Sequence, residues 1–268
     1  MILSETIHYL LENQENRLKE LTITKLVMGK QFTAVMLSDG SCGLAAAEIP
    51  EKTQCSHGKI RIHGEFAPGN FKGNTVYKLF SYEDNDCRIS FSVKLAVINA
   101  ISEKEISNGK YHIVKHKDTL EVLDIGSLSK VTVVGAFHSY IKKLAETGCI
   151  LKVLELNEDA LSDEHKHFFV PVHQAESILS ESDIVIITGS TLVNETLDDL
   201  LGMIKNNAQI AVIGPSSSLF PDVLFDRGVT IIGATVISDK ETMFRIISEG
   251  GSGYHLFEKC AYKICITN

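Results

Sequence analysis

Five short aliphatic runs, each followed by a small or hydroxylated turn and then an amphipathic segment, constrain this chain more than any other feature. They fall at 131–134, 150–156, 184–187, 209–213 and 230–237. Polar and apolar residues do not alternate cleanly within them, so each strand must be covered on both faces. The periodicity predicts helices over 139–147, 172–180, 194–205 and 221–227, and another opened by a capping box at Ser238 to Glu241. A last strand is expected at 261–267. Strand and helix alternating with short connections specify an α/β class with a Rossmann-like, doubly wound parallel sheet and right-handed crossovers.

The first 115 residues have another texture. An amphipathic helix is expected over 1–21, with Ile7, Leu10, Leu11, Leu18 and Leu21 at helical spacing and Ser4 as its cap. Two β-rich runs, 22–28 and 32–37, lead to the hairpin signal Asp39-Gly40. Small residues at 43–47 permit close backbone approach, and tight packing is the favoured reason. A mostly apolar helix over 91–101, with Ser92 expected as its cap, carries Asn99. A buried amide there must find partners, either in a nearby loop or at a cleft between domains. The division expected is a smaller α+β domain at 1–115, a linker at 116–129 and the Rossmann-like domain at 130–268.

Bulk properties narrow the function classes. A net charge of −8 argues against nonspecific binding to nucleic acid or to an anionic membrane. No apolar run approaches the roughly 20 residues needed to span a bilayer. The start lacks a basic region and a small-residue cleavage site, so no signal peptide is expected. Six scattered cysteines without a CxxC pair fit reduced thiols and a cytoplasmic location. The loop holding Cys55, His57 and His63 matches no metal-binding spacing and reads as structural, as does the polar His165-x-His167 loop.

In doubly wound sheets, ligands bind outside the carboxyl ends of the strands. Here those ends read Gly135-Ala136-Phe137-His138, Glu155-Leu156-Asn157, Thr188-Gly189-Ser190-Thr191, Gly214-Pro215-Ser216 and Ala234-Thr235. The set is small and polar, and no aliphatic plug is expected over it. Amides ahead of a helix beginning at Asn194 would add positive potential, and the hydroxyls of Ser190 and Thr191 would donate hydrogen bonds. A dinucleotide sheet needs G-x-G-x-x-G after its first strand, and this turn has one glycine. An acid, Glu155, nevertheless lies about 20 residues on, where ribose is held in that motif; a solvated strand end is the other reading. His138 is either a group at the site or a surface histidine. A nucleophilic serine elbow and a Walker lysine motif are both absent from the sequence.

The stretch from Val185 to Asn194, with Gly214-Pro215-Ser216, Glu249-Gly250-Gly251 and Val97-Ile98-Asn99-Ala100, resembles a prokaryotic family of unknown function for which heavy-metal chelation has been proposed. The resemblance covers nearly the whole chain. It implies an enolase-N-terminal-like α+β domain before the Rossmann-like domain, with a site in the cleft between them. It carries ligand-binding roles onto Thr188, Gly189, Ser190, Asn194, Gly214, Pro215 and Ser216, with Asn99 from the smaller domain. Where family members often have proline after the first Rossmann-like strand, this chain has Phe137-His138-Ser139. Oxygen and backbone groups of this kind suit a polar or anionic small molecule, or a metal already chelated, better than a bare soft ion. The function expected is capture of such a ligand, with a metal ion or metal chelate as the cofactor candidate. The alternative is an enzyme using a nucleotide-derived, adenosyl-type cofactor. A homodimer is compatible with the pattern.

Overall fold

The computed structural model describes residues 1–47, 65–82 and 89–268. The Cys55, His57 and His63 loop lies outside the described residues. The described chain forms two compact units. The first comprises Met1–Lys110, Ser218–Phe220 and Val236–Tyr262; the second comprises Tyr111–Ser217, Pro221–Thr235 and Lys263–Asn268. The stretch 236–262, expected with the sheet, thus belongs to the N-terminal unit.

The first unit begins with helices α1 (Ile2–Asn13) and α2 (Glu15–Glu20). One continuous helix was expected here; the chain instead breaks at Gln14, and Ser4 lies inside α1 rather than capping it. Strands β1 (Ile23–Met28), β2 (Phe32–Leu37) and β3 (Cys42–Ala46) form an antiparallel meander. A short helix α3 (Val76–Phe80) precedes α4 (Ile89–Ser107), which lies on β2 and β3. A Cβ on Gly43 would stand 2.0 Å from the Ala96 carbonyl oxygen, so glycine is what lets the strand reach the helix. Ser92 is inside α4 instead of at its start, and its buried hydroxyl donates to the Ala46 carbonyl. On the meander also sit residues from far along the chain. Met243, Phe244 and Ile247 of α10 (Lys240–Ser248) and Leu256 of α11 (Gly253–Lys259) share a core with Ala34, Cys42 and Leu44. The cap of α10 is Asp239, one residue later than expected, accepting from the Thr242 amide at 3.1 Å.

The second unit is built on a sheet of β4 (His112–Lys115), β5 (Lys130–Val134), β6 (Ile150–Glu155), β7 (Phe169–Pro171), β8 (Ile184–Thr188), β9 (Gln209–Ile213), β10 (Ile231–Ile237) and β11 (Ala261–Thr267). Their order is β4-β11-β10-β9-β8-β5-β6-β7. From β7 to β10 every neighbouring pair is parallel. Counted within that run the order is 3-2-1-4-5-6, the doubly wound Rossmann arrangement, with its reversal between β5 and β8. The expected fold class is therefore present, an α/β protein with a small antiparallel sheet and a large, mainly parallel one. Its unbroken aliphatic strands are buried: Val131, Val133, Ile184, Ile186 and Ala211 pack with Tyr140, Ile141 and Leu144. Those three belong to α5 (His138–Ala145). Further helices are α6 (Ala175–Glu181), α7 (Ser190–Val193), α8 (Leu197–Gly202) and α9 (Pro221–Phe225). The edge strand β4 pairs antiparallel with β11. Beside it Asp118 accepts from Lys263 Nζ at 2.7 Å. Burial raises the Asp118 carboxyl, but the bonds from Lys263 and Tyr140 outweigh it and hold its pKa below the ordinary value.

Candidate functional site

Where the strand order reverses, β5 and β8 send their following helices to opposite faces, and a crevice opens between the two turns. A cavity of about 370 Å³ occupies that position, built wholly from residues of the second unit. The end of β5 contributes Gly135, whose φ of +102° is a conformation that side chains rarely adopt. Its amide donates to the Leu154 carbonyl at 2.9 Å, and a Cβ there would come within 3.0 Å of Thr188 Cγ2. The end of β6 contributes Glu155, half-buried, with one carboxylate oxygen accepting from the Leu156 amide at 2.7 Å. Thr188, Ser190, Thr191 and Asn194 come from the end of β8 and the turn beyond it.

Six of the residues singled out in the sequence therefore meet at one cavity: Gly135, Glu155, Thr188, Ser190, Thr191 and Asn194. The others lie outside its lining. Gly189 is packed under the turn, where a Cβ would stand 3.1 Å from Ser216 Cβ. Gly214, Pro215 and Ser216 follow the end of β9, and of these Ser216, which is buried, is the one that meets Gly189. His138 is exposed at the first residue of α5. Asn99 is in the first unit, buried in α4, and its amide donates to the Leu44 carbonyl of β3 at 2.6 Å. The partner of its amide is thus a strand carbonyl, where a nearby loop or a cleft was expected.

Two expectations about the turn need correction. The helix begins at Ser190, not Asn194, and has only four residues before the chain breaks. The break is at Glu195, whose φ of 59° is uncommon for a residue with a β-carbon. With so short a helix the dipole contribution is small. The Thr191 hydroxyl is also engaged, whereas Ser190 Oγ accepts from the Thr188 hydroxyl at 3.2 Å. Thr191 donates to the Thr188 carbonyl at 2.6 Å, and Thr188 Oγ1 accepts from the Ser190 amide at 3.3 Å. Asn194 Oδ1 accepts from the Thr196 hydroxyl at 2.8 Å. These groups shape the rim by bonding to one another.

The wall is apolar, contrary to the expected absence of aliphatic cover. Val134, Leu154, Val172, Ala175 and Leu200 line it, with Phe137 and Leu156. Sequence reasoning missed these residues because an aliphatic side chain at a strand end looks like any core residue until topology places it. Leu156 and Val172 are 82% and 45% exposed, two of eight large hydrophobic side chains so exposed among the described residues. Among the described residues, Glu155 is the one charged side chain of the lining, which holds no lysine, arginine or histidine.

Soft-metal ligation needs several thiolates or imidazoles converging on one point. Among the described residues, no three or more His, Cys, Asp or Glu side chains gather in a way that could hold an ion. The described cysteines are Cys42, Cys149, Cys260 and Cys265. Burial pushes the Cys42 thiol up to about 11 and raises those of Cys260 and Cys265, which opposes the thiolate form that binds metals. The described residues thus do not fit a resident heavy-metal ion.

An uncharacterized protein of Methanocaldococcus jannaschii is 28% identical over 191 residues, covering 68% of this chain and 67% of its own length. The crystal structure of a protein of unknown function from Pyrococcus horikoshii, of the DUF364 family, covers 100% of both chains at 22% identity with a TM-score of 0.78. A DUF364-family structure from Desulfitobacterium hafniense, also of unknown function, covers 97% of this chain and 100% of its own at 20% identity with a TM-score of 0.70. At such identities the likeness speaks for the fold alone. The DUF4213 family model matches residues 11–102 and the DUF364 model residues 118–266, and both carry the description "Putative heavy-metal chelation". Since the second match spans more than half of the chain and the fold agrees throughout, this protein belongs to the DUF364 family.

Proposed function

We propose that this protein binds a small organic ligand, free or as the organic shell of a metal chelate, in the cavity at the β5–β8 reversal. The observation that carries the reading is the exposure of Leu156 and Val172 on the wall of a cavity outside the strand ends. Apolar surface left open to water in a concave site is recovered when a ligand covers it. Among the described residues a bare cation finds one carboxylate there, and an anion finds no cation. Both are poorer guests than a molecule with an apolar body and a hydroxyl-bearing edge.

The test is native mass spectrometry of the intact protein purified without denaturation, beside Ala175→Phe. Ala175 is buried in the cavity wall, so a phenyl ring there fills the space. The expected result is a retained small molecule in the wild type and its loss in the variant. Equal retention by both proteins would sink the site. A second reading, an enzyme working with an adenosyl-type cofactor, is favoured by one observation: Glu155 ends the second strand of the parallel run and faces the cavity. Turnover in that case requires a substrate group beyond the cofactor, so single-turnover consumption of the retained molecule distinguishes it from simple binding.

A further inference from the structure

The cavity's chemistry narrows the class of its ligand, a deduction that rests on the ligand-binding reading. Counted from the first glycine, the turn Gly135-Ala136-Phe137-His138-Ser139-Tyr140 places Phe137 and Tyr140 where a dinucleotide sheet has its second and third glycines. The second glycine exists so that backbone can approach a pyrophosphate. Here the Phe137 side chain lines the cavity instead, packed on Tyr140 with ring centroids 5.6 Å apart. Two of the turn's amides are also already used. Phe137 donates to the Gly135 carbonyl at 2.9 Å and His138 to the Ala136 carbonyl at 3.1 Å. Aromatic bulk cannot receive a phosphate, those two amides are not free to do so, and among the described residues no basic side chain of the lining offers an alternative.

The other half of a nucleotide site is intact. Glu155 closes the second strand of the parallel run, 20 residues after Gly135. One of its oxygens is pinned by the Leu156 amide at 2.7 Å. The second has no protein partner among the described residues, so it can accept from vicinal hydroxyls. Leu156, next in the chain, and Val172, ahead of α6, supply exposed aliphatic surface of the kind a flat base covers. The volume, about 370 Å³, is at the small end of the roughly 300–1,000 Å³ typical of ligand sites.

We infer that the cavity takes an unphosphorylated nucleoside, neutral or cationic, with its ribose diol on Glu155 and its base against Leu156 and Val172. The ligand is thus a nucleoside or an adenosyl compound without phosphate, and Phe137 excludes dinucleotides and nucleoside phosphates.

Isothermal titration of the full-length protein with adenosine, 2′-deoxyadenosine and AMP tests this, on wild type, Glu155→Gln and Ala175→Phe. Adenosine is expected to bind the wild type, with AMP at least about 10-fold weaker. Glu155→Gln and removal of the 2′-hydroxyl should each weaken binding about 10- to 100-fold, the range of a hydrogen bond to a charged group. Their effects should not add, because both remove the same bond. Circular dichroism verifies that each variant is folded. Equal affinity for adenosine and AMP, an unaffected Glu155→Gln, or no nucleoside binding would overturn the inference. A non-nucleoside molecule retained by the wild type and lost in Ala175→Phe would overturn it while leaving the ligand-binding reading in place. Retention indifferent to Ala175→Phe would remove both.

Discussion

Asp39 shows how much a single side chain in a turn can hold. It sits between β2 and β3, accepts from the Ser41 amide at 3.0 Å and hydroxyl at 2.6 Å, and receives Lys104 Nζ from α4 at 2.7 Å. Partial burial raises its carboxyl, but Lys104 and Ser41 together outweigh that and bring the pKa from 3.8 to about 2. A carboxyl depressed in the folded state stabilises above its unfolded pKa and loses that contribution as pH falls through the folded one. The window is therefore about pH 4 down to pH 2. Asp39→Asn should cost about 1 kcal/mol at pH 7 after allowance for solvent screening. In urea unfolding followed from pH 7 downward, the difference from wild type should shrink to nothing near pH 2. A difference constant across that range would show that charge is not the cause. None of these partners is visible in sequence: Asp39-Gly40 announces a turn, but Lys104 lies 65 residues away. The same limit applies to Thr191, whose hydroxyl looks available to a ligand in the sequence but is bonded to Thr188 in the fold.

At the scale of elements, what could be read depended on how strongly burial writes itself into a pattern. The strands β5, β8 and β9 are buried along nearly their whole length, so their aliphatic runs stand out, and the parallel sheet followed from them. β4 did not stand out, because a four-residue edge strand with exposed ends carries no such run. The glycine-rich stretch 250–253 is a tight turn into α11: a Cβ on Gly251 would meet Ile246 Cγ2 at 2.2 Å. Glycine by itself does not say whether it serves freedom or closeness. At 43–47 closeness was the favoured reading, and Gly43 against Ala96 bears it out. Gly43→Ala should therefore be severe, since the added methyl would also lie 2.4 Å from the Ala100 nitrogen and α4 would have to move off the sheet. A loss of about 3 kcal/mol or more is expected in chemical denaturation. A loss below about 1 kcal/mol would mean that the helix yields easily. For the candidate site, the six residues gathered at the cavity were legible as strand ends, whereas Leu154, Val172 and Leu200 required the strand order itself.

In the whole molecule, neither unit is one stretch of chain. The antiparallel meander near the start is covered by Met243, Phe244, Ile247 and Leu256, more than 130 residues beyond α4. A fragment of residues 1–110 lacks all four and leaves the apolar side of β2 and β3 in water. Expressed alone, it should show no cooperative thermal transition, and joining 236–262 to it through a flexible linker should restore one. A cooperative transition in the bare fragment would show that those helices are dispensable.

This discontinuity also bears on how the polypeptide is born. A ribosome delivers residues in order, and domains near the start ordinarily settle while the rest is still being made. Here the first unit waits for α11, which ends at Lys259, so its sheet stays uncovered while most of the second unit is made.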